Sequence, residues 1–301
     1  MKLVAYFAGR APAIGELAQS GELIYPLPVP VEDPAEGILP VIRLLQEGGD
    51  PPSGDHSNAI RAADVTLRAP IPRPRRNIFC VGKNYFDHAQ EFARSGFDSS
   101  AASGAVPDAP IIFSKVPESV IADGEDVLID HAVTQAVDYE AELAVIIGRG
   151  GRGISRDDAL AHVWGYTIVN DVTARDLQGR HKQWLIGKSL DTFCPMGPVA
   201  ASADEVDLGS ARVRCWVNDE LRQNATLPQL IFDIPTLIET ISAGITLYPG
   251  DVIATGTPAG VGIGFDPPRY LQSGDEVVVE IDGIGRLRNR FLSTDQAAEA
   301  V

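Results

Sequence analysis

The chain has 301 residues, 45% hydrophobic and 22% charged, with a formal net charge of −16. That length allows a sizeable core, and the composition is that of a globular protein. The acidity argues against nucleic acid or anionic membrane as a partner, because both repel it, and no stretch approaches the length of a membrane span.

The N-terminal Met1–Phe7 reads as a short strand without the apolar run of a secretory signal. Residues 1–70 form a small N-terminal region with a Pro-rich segment, 26–34, and a helix over 40–46. Arg68–Arg76 holds three prolines, which favour extended backbone, so it is read as a linker. A boundary near residue 70 leaves a larger unit over 71–301. There a strand, 77–82, leads into a polar helix, 85–94, and then a Gly/Ser/Ala-rich loop, 95–107. Further strands are expected at 111–113, 127–129, 139–147, 165–169, 212–217, 251–255, 276–281 and 287–292, with helices at 155–162 and 234–242. The count favours a strand-rich α+β fold over βαβ repetition. Cys80, Cys194 and Cys215 are far apart, odd in number and without a C-x-x-C, which suits a reducing cytoplasm.

Two familiar patterns fail on inspection. Gly148–Gly153 matches G-x-G-x-x-G, but Ser155 with Asp158 places the helix start after the last glycine, so the run reads as a turn. Ile186-Gly187-Lys188-Ser189 resembles the end of a phosphate loop, yet Lys182 stands where the earlier glycine is required.

Glu140 and Glu142 lie at i and i+2 in the apolar run 137–147, so strand alternation points both carboxylates one way. Their face continues as Ala144 and Ile146; the other carries Tyr139, Ala141, Leu143, Val145 and Ile147. An isolated E-x-E is ordinarily a solvated strand end. Here a second expected strand, 164–169, runs into Asp171. Three carboxylates at strand ends make an all-oxygen site suited to Mg²⁺ or Mn²⁺.

His88 and Glu91 are at i and i+3 on the expected helix, where a carboxylate can orient an imidazole as a general base. Spacing alone would also suit an incidental surface pair. Lys115 and Lys188 are either solvated lysines or cations aimed at a substrate carboxylate or enolate. The loop Thr255–Gly264 is rich in glycine, and its exposed N–H groups can hold an anion.

Together these segments resemble the fumarylacetoacetate hydrolase family in its shorter bacterial branch. The matching stretches are Gly82-Lys83-Asn84-Tyr85 with Asp87, His88 and Glu91; 110–115; 138–143; 170–176; 187–191; and 255–262. They follow the family's order over about residues 77–292. The resemblance implies a β-roll or mixed β-sandwich with surrounding helices, in a homodimer. It implies Mg²⁺ or Mn²⁺ on Glu140, Glu142 and Asp171, a water-activating dyad of His88 and Glu91, and Lys188 beside an enolate or carbonyl oxygen. Lys115, Arg175, Gln178 and Thr257 would contact substrate. The long-form hydrolase carries one more acidic ligand ahead of its histidine; the equivalent stretch here, 78–82, is apolar.

The activity expected on that basis is metal-dependent hydrolysis of a C–C bond in a 2,4-dioxo acid, of the acylpyruvate or diketo sugar acid type, in cytoplasmic catabolism. The alternatives need no water attack: decarboxylation of a β-keto acid such as oxaloacetate, or isomerisation of a hydroxy-dienoate. A non-catalytic metal- or ligand-binding protein is the reading from another class. The glycine run would suggest a nicotinamide oxidoreductase.

Overall fold

The computed structural model describes residues 1–94 and 106–299. Most of the loop expected at 95–107 lies outside the described residues. Among those residues two sheets dominate, one of eleven strands and one of five. The large sheet runs in the order Ile60–Arg61, Leu23–Pro26, Ala11–Leu17, Lys2–Ala8, Val199–Ser202, Val163–Asn170, Ala141–Ile147, Val252–Ala254, Ile78–Gly82 and Ile111–Lys115, and Thr66–Arg68 also pairs with Lys2–Ala8. The small sheet runs Glu220–Thr226, Arg212–Val217, Glu276–Ile281, Gly285–Ser293 and Val127–Ile129. This is the strand-rich α+β fold expected from the sequence.

Ala141–Ile147 is buried along its whole length, and its side chains serve two cores in alternation. Leu143, Val145 and Ile147 join Val213, Val279 and Phe291 between the sheets. Ala144 and Ile146 join Ile38, Val41 and Ile42, contributed in part by the helix Leu39–Gln46. Each such Leu, Ile, Val or Phe side chain contributes about 1.5–3 kcal/mol on burial. The strand end that carries Glu142 is therefore held from both faces.

The first strand pairs antiparallel with Val199–Ser202, Leu3 opposite Ala200. The boundary expected near residue 70 thus falls between strands of one sheet. Ala69, Pro70, Ile71 and Pro74 are buried, and the Pro70 carbonyl accepts from the N–H of Ile38 at 2.8 Å. The proline-rich segment packs on the domain instead of spanning solvent.

Two expected elements differ. The strand over 139–147 is split into Val137–Asp138 and Ala141–Ile147. At the break the Glu140 N–H donates to Asn170 Oδ1 at 3.0 Å and the Glu140 carbonyl accepts from the Asp171 N–H at 2.8 Å. The helix expected over 155–162 is only a 3₁₀ turn, Ala159–His162. Local bonds compete with the helix there, since Ser155 Oγ donates to Asp158 Oδ2 at 2.8 Å. Glu220–Thr226 was not expected as a strand; it is polar, and its pairing with Arg212–Val217 supplies the order.

Candidate active site

Glu140, Glu142 and Asp171 meet where three main-chain segments end together. Each offers a carboxylate oxygen, and these oxygens lie within 4.8 Å of one another, all buried. Glu142 leaves the strand on the Ala144 and Ile146 side, as alternation requires. Glu140 reaches the same point from the irregular residues before it. Their convergence comes from the strand break and the Asn170 side chain, not from one continuous pleat.

The three acids are unevenly matched. Burial, with Asp171 and Glu140 close by, pushes the Glu142 carboxyl well above its usual value. Burial would do the same to Glu140, but Lys188, Arg175 and His88 outweigh it and hold that carboxyl at about 2. Asp138, Glu140 and Asp171 pair with Lys115, Arg175 and Lys188, while Glu142 accepts from the Gly256 N–H. A crowded, buried all-oxygen set in which one carboxyl resists ionisation fits a hard divalent cation, which would take the place of that proton.

The glycine-rich loop does bind anions, and the anions are the protein's own carboxylates. The Gly256 N–H donates to Glu142 Oε2 at 2.8 Å. The Gly260 N–H donates to Glu91 at 3.1 and 3.2 Å. Gly262 and Ile263 donate to the two Asp138 oxygens at 2.7 and 3.0 Å. Gly260 must be glycine: its φ is +104°, and a Cβ there would overlap the Arg222 carbonyl. One loop thereby fixes a metal-site carboxylate, the dyad carboxylate and a supporting carboxylate.

The cations divide the work. Lys115, wholly buried, donates to Asp171 Oδ1 at 2.7 Å, to the Val172 carbonyl at 3.1 Å and to the Lys188 carbonyl. It stands behind Asp171, away from the pocket wall where a substrate contact was expected. Lys188 Nζ donates to Glu140 Oε2 at 2.7 Å and Asp171 Oδ2 at 2.8 Å, above the Phe113 ring. Burial disfavours its charge, but Asp171 and Glu140 prevail and raise its pKa, so it stays an ammonium. Arg175 links Asp138 Oδ2 at 2.8 Å, Glu140 Oε1 at 2.7 Å and Gln178 Oε1 at 3.1 Å.

A small pocket opens beside these groups. Lys83, His88, Glu140, Arg175, Gln178, Lys188 and Thr257 supply its polar wall, and Phe113 and Trp184 its apolar one. Those aromatic rings meet edge to face, centroids 5.1 Å apart. His88 lies on the helix Phe86–Arg94, with Nδ1 3.3 Å from Glu91 Oε2. An ionised carboxylate only accepts, so this contact assigns the Nδ1 proton and leaves Nε2 as the basic nitrogen. Thr257 Oγ1 accepts from Gln223 Nε2 at 2.8 Å, which leaves its O–H to donate.

The structure therefore gathers Glu140, Glu142, Asp171, His88, Glu91, Lys188, Arg175, Gln178 and Thr257 in one place, with Lys115 beneath. Sequence reasoning missed Asp138, Asn170 and Gln223 as organisers of the site. Gln223 also accepts from the Ala141 N–H at 3.1 Å. It gave no signal, because its strand looked like a polar loop.

The family profile of the fumarylacetoacetate hydrolase C-terminal domain matches residues 77–292. The chain belongs to the fumarylacetoacetate hydrolase family. The family is one of enzymes. The oxaloacetate tautomerase YisK of Bacillus subtilis (strain 168) is 52% identical over 230 residues, 76% of this chain and 74% of that one. Among solved structures, fumarylacetoacetate hydrolase from psychrophilic Exiguobacterium antarcticum has a TM-score of 0.80 at 39% identity, covering 97% of this chain and 99% of that one. Maleylpyruvate hydrolase of Sphingobium sp. SYK-6, in complex with manganese(II) and pyruvate, has a TM-score of 0.73 at 29% identity over 97% and 99%. Among the described residues no helix is long and apolar enough to cross a membrane.

Proposed function

We propose that this fumarylacetoacetate hydrolase family member is a divalent-metal-dependent keto–enol tautomerase of oxaloacetate. The observation that carries the reading is a basic imidazole, His88, in one small pocket with Lys188 and the carboxylate cluster. Similarity to the Bacillus subtilis tautomerase supports the choice of substrate. Of the readings open at the sequence level, chemistry without water attack has better support than C–C hydrolysis.

Glu140, Glu142 and Asp171 would hold Mg²⁺ or Mn²⁺, which when bound supplies Lewis-acid polarisation of the substrate's 2-oxo group. Arg175 and Gln178 fix one end of the pocket and orient the 2-oxo acid. His88 Nε2 takes a proton from C3, and the electron pair moves into a C2–C3 double bond with the charge on the C2 oxygen. Lys188 offsets that charge as it develops. The proton held by His88, given up to the C2 oxygen, completes the enol and restores the neutral imidazole. No carbon–carbon bond breaks, no water is consumed and the net proton count is unchanged. Glu91, pinned by the Gly260 N–H, keeps His88 in the tautomer this transfer needs.

The test is to follow the oxaloacetate enol absorbance with purified protein in Mg²⁺ or Mn²⁺, beside a panel of acylpyruvates. Faster equilibration of the enol with oxaloacetate and no acid release from the panel is the expected outcome. Acylpyruvate cleavage without tautomerase activity would sink the proposal. The implied homodimer belongs to the same proposal, and sedimentation of the purified chain tests it.

A further inference from the structure

The strand Glu220–Thr226 buries its polar Gln223 completely and leaves its apolar Leu221 48% exposed. In regular alternation these two side chains would share a face. The pairing with Arg212–Val217 explains the inversion. Cys215 lies opposite Gln223 and Trp216 opposite Leu221, so Arg222 is an extra, bulged residue. A bulge re-aims the side chains around it. Here it turns Leu221 out to solvent and leaves Gln223 inward with Ala225. The bulged residue also abuts the glycine-rich loop, since its carbonyl is the atom that forbids a Cβ at Gly260.

The Gln223 amide is held at every polar atom. Oε1 accepts from the Ala141 N–H at 3.1 Å, while Nε2 donates to the Pro258 carbonyl at 2.7 Å and to Thr257 Oγ1 at 2.8 Å. The reverse orientation would set Nε2 against an N–H and Oε1 against a carbonyl, so the network admits only one assignment. Both amide hydrogens are used, and the Thr257 oxygen is fixed as their acceptor. The Thr257 proton must therefore point away from Gln223. Among the described residues none accepts it, although Thr257 is buried and lines the pocket. A buried hydroxyl proton without an acceptor costs about 1–3 kcal/mol, which an acceptor oxygen brought by a ligand would recover.

We propose that Gln223 is a positioning residue that locks the Thr257 hydroxyl as a donor into the pocket, so that this part of the pocket takes an acceptor oxygen of the 2-oxo acid. The inference rests on the proposed substrate class, not on its tautomerisation. Without the amide, the hydroxyl is free to turn and to present a lone pair to that oxygen instead, and attraction becomes repulsion. The role differs from general support of the loop. Gly256 and Gly260 hold Glu142 and Glu91 through main-chain N–H groups, whereas Gln223 reaches the pocket through the Thr257 side chain.

The experiment is a double-mutant cycle of Gln223→Met and Thr257→Val in the full chain loaded with Mn²⁺, titrated calorimetrically with pyruvate as the shortest 2-oxo acid. Thr257→Val removes the hydroxyl and is expected to weaken pyruvate about tenfold. Gln223→Met should weaken it about threefold or more, and should add nothing in the Thr257→Val background, because it acts through that hydroxyl. Mn²⁺ affinity should be the same in all four proteins. Losses that add, a parallel loss of Mn²⁺ affinity, or a Thr257→Val protein that binds pyruvate as the wild type does overturns the proposal. Gln223→Met also leaves the Ala141 N–H and the Pro258 carbonyl unpaired, so the wild type supplies a second readout that needs no change at 223. In protein labelled with ¹⁵N-glutamine, pyruvate should shift the Gln223 Nε2 proton that faces Thr257 and leave the one that faces Pro258. Thr257→Val should abolish that shift, and a wild type without it overturns the proposal. Oxaloacetate enol equilibration, measured separately, judges the tautomerase reading: a complete pyruvate cycle without equilibration removes that reading and leaves the Gln223 assignment standing.

Discussion

Gly264 packs so tightly against Glu91 that a Cβ at position 264 would overlap the Glu91 carboxylate. The backbone at 264 is not left-handed, so a side chain there acts through space alone. Gly264→Ala is expected to displace Glu91 and lower kcat about 10- to 100-fold, part of what a positioned base supplies. Mn²⁺ affinity should be unchanged, because the three carboxylates of the metal cluster are untouched. Steady-state kinetics beside metal titration checks both.

His88→Ala removes the proposed base itself. The expected loss in kcat is about 10²–10⁴-fold, with the protein folded and still binding metal. Glu91→Gln should cost less, since a glutamine can still hold Nδ1–H. Tautomerase rates as a function of pH, with circular dichroism as the folding control, separate the two variants.

Metal binding should weaken as pH falls, because proton and cation compete for Glu142, whose carboxyl is pushed well above its usual value by burial, Asp171 and Glu140. Without metal, the same shift makes the folded chain hold that proton more tightly than the unfolded one. The Glu142 contribution to stability is therefore full below the ordinary carboxylate value and lost as pH rises through the raised one. Glu140 runs the opposite way: its carboxyl sits at about 2, so its contribution is present above the ordinary value and lost as pH falls toward about 2. Tm measured against pH in chelator should show both limbs, and Glu142→Gln should abolish the loss on the alkaline side alone.

Lys115→Met leaves Asp171 short of a buried partner. Both side chains are fully buried, so the expected cost is about 3–5 kcal/mol, far more than a surface lysine would show. Urea unfolding of the metal-free protein measures it. Added Mn²⁺ should recover part of the loss, since a bound cation again neutralises Asp171.

Alternation along 139–147 was enough to assign Leu143, Val145 and Ile147 to one core and Ala144, Ile146 and Glu142 to the other side, because side-chain direction in a strand depends only on position. The i, i+3 spacing of His88 and Glu91 placed them together for the same local reason. Lys115 was misplaced because spacing cannot say what lies beneath a strand end: it proved to support Asp171 from below.

The sequence by itself determined the strand-rich fold class, the family and the set of residues that carry charge and chemistry. Those follow from periodicity, side-chain chemistry and the order of short motifs, which are properties of neighbours in the chain. Only the tertiary structure decided that the glycine-rich loop grips Glu142, Glu91 and Asp138, that Asn170 bridges the broken strand at Glu140, and that Gln223 turns inward to the Thr257 hydroxyl. Each of these contacts depends on where a distant backbone passes, which long-range sheet pairing fixes and no local pattern records.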